Sequence, residues 1–130
     1  KYHVHGCTDV TGFGLLGHLH EMMDGKLSCT LWANEMPVFP QALDYAEEFL
    51  LTAAAQRNRN HAGRFVTFQG VPFAMEEVLF DPQTSGGLLA ALPPEEAPQL
   101  LADLKALGLP AAIVGEITQR RNPEILVINR

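Results

Sequence analysis

Cysteine is scarce in this sequence, which has only Cys7 and Cys29 among its 130 residues. Two thiols are too few for the disulfide framework of a small secreted domain, and their spacing matches no zinc-binding pattern. Neither cysteine has basic neighbours that would lower its pKa. We therefore predict reduced, structural thiols and no cysteine nucleophile, and no Ser-His-Asp order indicates another nucleophile.

Basic residues and long apolar runs are also lacking. Nine Lys and Arg stand against fifteen Asp and Glu, a net charge of −6 that argues against a nucleic-acid partner. No apolar run approaches the roughly 20 residues of a membrane span, and the first residues do not resemble a signal peptide. We expect a soluble, cytoplasmic protein without a membrane partner.

The only local concentration of positive charge is formed by Arg57, Arg59 and Arg64. We interpret these side chains as solvated surface, and a contact with phosphate is the alternative. The pair His18 and His20 stands two residues apart on a predicted helix, so the two rings point to different faces and a shared metal is not expected.

The length and composition indicate one compact domain. Apolar residues make up 47% and charged residues 18% of the chain, a globular balance. The first residue stands directly before an apparent strand and a glycine-rich turn. We therefore expect a fragment whose partner domain lies upstream.

Apolar periodicity predicts interleaved strands and helices. The predicted strands cover residues 1–5, 26–33, 64–69, 88–92 (a buried strand), 111–118 and 124–129. The predicted helices cover residues 15–25, 41–54, 73–79 and 93–108, and residues 56–63 are predicted to form a polar loop. Strands and helices that interleave without regular alternation indicate an α+β domain, in which helices cover a mixed, mostly antiparallel sheet.

One glycine-rich turn carries the best candidate site. Asp9 precedes Thr11, Gly12 and Gly14, and a helix follows directly. A helix N-terminus attracts anions, glycines let phosphate approach the backbone, and a carboxylate suits the Mg²⁺ that accompanies a nucleotide. The alternative is that Thr11 or Asp9 caps the helix while the glycines allow tight packing. Two common nucleotide fingerprints, GxGxxG with a ribose-binding acid and GxxxxGK[ST], are absent.

A second turn-rich segment covers residues 80–87 (FDPQTSGG). Its hydroxyls and backbone N–H groups, with Asp81, are able to form another anion-binding nest. A plain turn is the alternative.

Both turns match a known family. Residues 7–19 (CTDVTGFGLLGHL) closely resemble the signature that opens the C-terminal domain of selenophosphate synthetases. Residues 79–89 (LFDPQTSGGLL) resemble that family's other hallmark, in the expected order and at the expected distance. The wider superfamily includes aminoimidazole ribonucleotide synthetase, thiamine-phosphate kinase and hydrogenase-maturation proteins. The residues of both motifs nevertheless favour the selenophosphate branch.

The resemblance implies a layered α/β/α C-terminal domain like that of aminoimidazole ribonucleotide synthetase. Residues 1–130 would form this single domain, and a separate N-terminal domain would dimerise and supply most of the ATP site. The implied reaction converts ATP, selenide and water into selenophosphate, AMP and orthophosphate, with Mg²⁺ held by aspartates. Asp9 matches the aspartate from this domain, and Thr11, Gly12 and Gly14 match the turn beside the phosphates.

The resemblance assigns no catalytic residue to this chain. The family's reactive cysteine or selenocysteine and its lysine lie in an N-terminal segment, so residues 1–130 alone are expected to be inactive. Two alternatives stay open: another ATP-dependent synthetase of the same superfamily, and a non-catalytic module that acts by binding or dimerisation.

Overall fold

The computed structural model describes residues 1–83 and 86–130, in which strands and helices interleave. The strands are β1 (Gly6–Asp9), β2 (Leu27–Trp32), β3 (Val66–Gln69), β4 (Leu88–Ala91), β5 (Gly115–Gln119) and β6 (Ile125–Ile128). The helices are α1 (Gly14–Met23), α2 (Pro40–Glu47), α3 (Ala53–Ala62), α4 (Phe73–Phe80) and α5 (Ala97–Ala106), with short 3-10 turns at Ala33–Glu35 and Gly63–Phe65. The predicted α+β class is confirmed.

The strands form two sheets. Four of them are ordered β3-β6-β2-β5, with β6 parallel to both of its neighbours and β5 antiparallel to β2. The other two, β1 and β4, form a separate antiparallel pair. Parallel and antiparallel pairings are equal in number within the described residues, so the predicted mixed sheet is confirmed, but the expected majority of antiparallel pairings is not found there.

The core lies between α1 and the four-stranded sheet. Leu16, Leu19 and Met23 repeat at helical spacing along one face of α1 and are buried. They meet the inward side chains of the central strands, including Ile125 and Val127 of β6, which are fully buried. Burying side chains of this size contributes about 1.5–3 kcal/mol each, so this cluster anchors the turn from which α1 starts.

Helix α1 ends as predicted. Asp24 and Gly25 both have a positive φ, of 53° and 69°, and this left-handed pair terminates the helix after Met23. No helix within residues 1–83 and 86–130 is long and apolar enough to cross a membrane.

The first strand lies later than predicted. Pairing begins at Gly6, opposite Ala91, and the predicted strand at residues 1–5 is wrong. Those residues instead contact the α5 region: Lys1 Nζ lies 3.0 Å from Asp103 Oδ2, and the His3 backbone N–H donates to a Glu96 carboxylate oxygen across 2.9 Å. The alternating pattern of residues 1–5 gave no indication that contacts with the α5 region would replace strand pairing.

The predicted loop at residues 56–63 is also wrong, because residues 56–62 belong to α3 and Gly63 begins the following 3-10 turn. The single helix predicted at residues 41–54 is in fact two helices, since α2 ends at Glu47 and α3 begins after Thr52. The Thr52 hydroxyl caps α3 by accepting a hydrogen bond from the Ala55 N–H across 3.0 Å. Helix α3 was not predicted because most of its residues are polar and only a narrow face of it is buried.

Three further predictions need smaller corrections. The strand predicted as buried at residues 88–92 is β4, and Leu88 is 74% exposed because β4 pairs with β1 alone among the described strands. Helix α5 begins at Ala97, later than the predicted residue 93. Strand β5 begins at Gly115, although the predicted strand starts at residue 111.

Candidate functional site

The two sequence motifs meet in space. Strand β1 ends at Asp9, which is paired with Leu88 of β4. The next residue, Val10, donates its N–H to the Gly87 carbonyl across 2.9 Å. A Cβ on Gly86 would collide with the Val10 carbonyl, so a glycine is required for this close approach. The candidate turn and the second motif therefore form one surface.

Backbone hydrogen bonds fix the candidate turn from inside. The Thr11 carbonyl accepts from the Gly14 N–H across 3.0 Å and from the Gln83 N–H across 2.9 Å. Gly14 has a φ of 71°, and a Cβ there would lie 2.6 Å from the Phe80 carbonyl oxygen. Glycine is thus required at residue 14 by its backbone conformation and by its surroundings.

The two glycines of the turn have different environments. A Cβ added to Gly12 would meet nothing within 4 Å, whereas Gly14 is buried. The tight-packing interpretation therefore holds for Gly14 and fails for Gly12, whose Cα faces open space. A ligand is able to approach the backbone at Gly12.

The helix-capping interpretation is wrong. The N-cap residue of α1 is Phe13, and no side chain makes a capping hydrogen bond there. The Thr11 hydroxyl instead lies 2.9 Å from His18 Nε2. Neither Asp9 nor Thr11 is used to cap the helix, which leaves both side chains to the surface of the turn.

Asp9 is exposed at the end of β1. Within the described residues no group of three or more His, Cys, Asp or Glu side chains is arranged to hold a metal ion. Mg²⁺ typically takes one or two protein carboxylates and fills its other positions with phosphate oxygens and water. An exposed carboxylate beside an open glycine turn fits one such ligand.

A small cavity of about 260 Å³ opens at the candidate turn and is lined by Thr11, Gly12, Phe13 and His18. His18 Nδ1 lies 3.2 Å from Glu21 Oε1, and Nε2 lies 2.9 Å from Thr11 Oγ1. The Thr11 hydroxyl and His18 Nε2 are therefore hydrogen-bonded to each other, and the tautomer of the ring decides which of them donates. His18, for which no role was predicted, thus orients the Thr11 hydroxyl.

Asn58 is the other residue that the sequence interpretation missed. Its side chain is buried, and Nδ2 donates to the Gly12 carbonyl across 3.0 Å and to the Phe80 carbonyl across 2.8 Å. It therefore ties the candidate turn to the end of α4. The sequence signal that could have revealed Asn58 is Thr52. If Thr52 is taken as a helix N-cap, Asn58 falls on the helix that follows.

In the second motif, Asp81 accepts a hydrogen bond from the Thr52 hydroxyl across 3.0 Å. Burial raises the pKa of the Asp81 carboxyl, and the Thr52 hydrogen bond partly opposes that shift. Thr84 and Ser85, on which the predicted anion-binding nest depends, lie outside the described residues. The nest stays a prediction.

The three arginines do not act as one surface group. Arg59 is enclosed: its guanidinium lies 3.2 Å from Glu76 Oε1 and 2.6 Å from Glu77 Oε1. It also stands over the Phe80 ring, 4.8 Å from the centroid. The solvated-surface interpretation is therefore wrong for Arg59, whose charge is held by two carboxylates, one of them buried.

Both cysteines are free thiols, and only the buried Cys29 has the environment of a structural thiol. Cys29 is buried in β2, and burial raises its pKa to about 12, so it stays a thiol at neutral pH. Cys7 is exposed on β1, two residues before Asp9.

Comparisons with known proteins agree with the motifs. The family described as "AIR synthase related protein, C-terminal domain" matches residues 1–128. The "Selenide, water dikinase" of Agathobacter rectalis is 55% identical over 127 residues, covering 97% of this chain and 37% of that protein. Those of Pelobacter propionicus and Desulfitobacterium hafniense are 47% and 44% identical, each covering 95% of this chain and 36% of the relative. The chain spans little more than a third of these relatives.

Proposed function

The chain belongs to the family of AIR synthase related proteins, C-terminal domain, and on that premise we propose that it is the C-terminal domain of a selenophosphate synthetase. The full-length protein would convert ATP, selenide and water into selenophosphate, AMP and orthophosphate. The similar proteins named selenide, water dikinase support this substrate, since they match nearly the whole chain. Both motifs of the resemblance also lie on one surface.

One observation carries the role of this domain in the proposal. Asp9 is exposed at the end of β1, just before the candidate turn. In that turn the backbone at Gly12 is open, whereas Gly14 is closely surrounded. Phosphoryl transfer depends chiefly on positioning and on neutralising charge, so a preorganised turn with one carboxylate has a clear use there. A domain with such a turn would complete an ATP site formed mainly by other residues.

Mg²⁺ would be held in part by the Asp9 carboxylate, and when bound it neutralises the phosphate charge that develops during transfer. The open backbone at Gly12 would let the phosphates approach, and Thr11 would contribute a hydroxyl oriented by His18. Asn58 would keep the turn in place before the nucleotide arrives. This chain supplies no nucleophile in the proposal.

We assign the remaining functions to the part of the protein that the relatives have and this chain does not span. That part would carry the reactive cysteine or selenocysteine, bind most of the ATP, and form a homodimer in the cytoplasm. Residues 1–130 alone are then expected to give no turnover.

The test is phosphorus NMR of the full-length protein with ATP, Mg²⁺ and selenide. We expect selenophosphate, AMP and orthophosphate to form together, and only when selenide is present. ATP consumption that does not depend on selenide would contradict the proposal and favour another ATP-dependent synthetase. No ATP consumption by folded full-length protein would favour a non-catalytic binding module.

A further inference from the structure

One aromatic side chain lies uncovered beside the candidate turn. Phe13 is 54% exposed, and it lines the cavity of about 260 Å³ together with Thr11, Gly12 and His18. Exposure alone decides nothing, since single apolar residues are common on protein surfaces. Phe13 differs from such residues because two contacts hold its side chain against helix α1.

The first contact is made by Gly17, one turn along the helix. Gly17 is buried, and a Cβ there would lie 2.9 Å from the Phe13 Cβ. That distance is shorter than the roughly 3.5–4.0 Å at which non-bonded carbon atoms pack, so only glycine leaves room for Phe13 in this position. Glycine inside a helix costs about 0.5–1 kcal/mol relative to alanine. The helix therefore loses some stability in order to accommodate Phe13.

The second contact is made by His18. The rings of Phe13 and His18 lie 5.5 Å apart between centroids, at 42° to each other. The His18 side chain is only 13% exposed, and its two nitrogens lie 3.2 Å from Glu21 Oε1 and 2.9 Å from Thr11 Oγ1. Phe13 therefore packs against a ring that is itself held by polar contacts. Its own ring forms a fixed apolar wall of the cavity.

The walls of this cavity are poorly suited to hold a reactive water molecule. A water that attacks phosphorus needs a polar group that accepts its proton. The Phe13 ring accepts no proton, and the Thr11 hydroxyl and His18 Nε2 are paired with each other. A phosphoryl group at the open backbone of Gly12 would therefore have an apolar ring beside it in place of ordered water.

We propose that Phe13 determines whether selenide or water receives the phosphoryl group that becomes selenophosphate. This inference rests on the proposed function, in which one phosphoryl group of ATP passes to selenide and another passes to water. Hydrogen selenide is already an anion at neutral pH and attacks without a base, whereas water needs one. An apolar wall without a free base therefore favours selenide.

The two competing reactions leave different products. On the selenide route a P–Se bond forms while a P–O bond of ATP breaks, so selenophosphate and ADP result. If water attacks instead, a new P–O bond forms and a proton is released, so orthophosphate and ADP result. In both cases the ADP is then hydrolysed to AMP and orthophosphate. A leak of water into the cavity thus adds orthophosphate at the expense of selenophosphate.

The product ratio of the full-length protein tests the proposal. Phosphorus NMR with ATP, Mg²⁺ and selenide measures selenophosphate, orthophosphate and AMP in one sample. Wild type should form orthophosphate and selenophosphate in equal amounts, as the proposed reaction requires. Phe13→Ala should raise the ratio of orthophosphate to selenophosphate by about two-fold or more. A merely structural role would lower all three products together and leave this ratio unchanged.

Three further variants separate the ring from other effects. Phe39→Ala is the matched control, because Phe39 is the N-cap of α2, is 81% exposed and is not among the described residues that line this cavity. Its product ratio should equal that of wild type. Phe13→Leu keeps an apolar wall and should return the ratio towards wild type. Gly17→Ala keeps the phenylalanine but displaces it, so the ratio should rise as it does in Phe13→Ala.

The possible failures are distinguishable. If wild type forms selenophosphate and both Phe13→Ala and Gly17→Ala keep its product ratio, the role of Phe13 is contradicted while the proposed function stands. An equal rise of the ratio in Phe39→Ala would also contradict it. If folded wild type forms no selenophosphate, the proposed function fails, and the inference about Phe13 fails with it.

Discussion

The side-chain amide of Asn58 donates a hydrogen bond to the Gly12 carbonyl across 3.0 Å. The other hydrogen of the same nitrogen is directed to the Phe80 carbonyl, 2.8 Å away. One buried amide thereby joins the turn of the first motif to the helix that leads into the second. The geometry of the candidate site depends on a residue of α3 that belongs to neither motif.

Replacing Asn58 by alanine should destabilise the fold by about 2–3 kcal/mol, because two carbonyls lose their donor in a buried place. Urea unfolding measures this change. Asn60→Ala is the matched control, since Asn60 is exposed on the same helix and its substitution should change stability by less than about 0.5 kcal/mol. Equal effects of the two substitutions would contradict the role of Asn58.

The two glycines of the turn should respond in opposite ways to alanine. Gly14→Ala should destabilise the fold by more than about 2 kcal/mol, because φ is 71° and the new Cβ would lie 2.6 Å from the Phe80 carbonyl oxygen. Gly12→Ala should leave urea unfolding nearly unchanged but weaken ATP binding by the full-length protein, measured by calorimetry. Full ATP affinity in the Gly12 variant would show that phosphates do not approach there.

Thr11 and His18 should act as a unit in the full-length enzyme. The hydroxyl of Thr11 is oriented by His18 Nε2 at 2.9 Å, so Thr11→Val and His18→Leu remove the same interaction. A double-mutant cycle on kcat/KM should give a coupling energy of about 0.5–3 kcal/mol. His18→Gln, which keeps a hydrogen-bonding group, should recover part of the activity. Additive effects would contradict the coupling.

Asp81 should make stability depend on pH. Burial raises the pKa of its carboxyl in the folded state, so the fold favours the protonated form and loses stability as pH rises through the unfolded and then the folded pKa. Asp81→Asn keeps an oxygen that accepts from Thr52 but has no ionisation. The variant should therefore be more stable than wild type at pH 7, and this difference should vanish below about pH 4.

Urea unfolding of both proteins across that range measures the difference. A stability difference that is the same at pH 4 and pH 7 would contradict an ionisation effect at Asp81.

The sequence predicted the parts of the fold that depend on local pattern. The apolar stripe of α1 and its end near Gly25 were correct, as was the alternation in β2, because burial on one face repeats with a fixed period. That Asp9 and the second motif meet through β1 and β4 was not predicted.

The missed features depend on long-range contacts. Helix α3 is polar on most of its surface, so its few inward residues, Asn58 among them, gave no clear period. The pairing of β1 with β4 joins segments about 80 residues apart, and single-sequence alternation carries no information about such a partner. The orientation of Thr11 by His18 likewise requires the turn geometry, because the two residues are neighbours only once α1 has formed.

The most direct test of the central claim is the phosphorus NMR assay applied to Asp9→Asn in the full-length protein. Asp24→Asn is the matched control, since Asp24 is an exposed aspartate at the other end of α1. We predict that selenide-dependent formation of selenophosphate and AMP falls by about 100-fold or more in the Asp9 variant and is unchanged in the Asp24 variant. Wild-type rates in a folded Asp9→Asn protein would contradict the assignment of Asp9 to the metal.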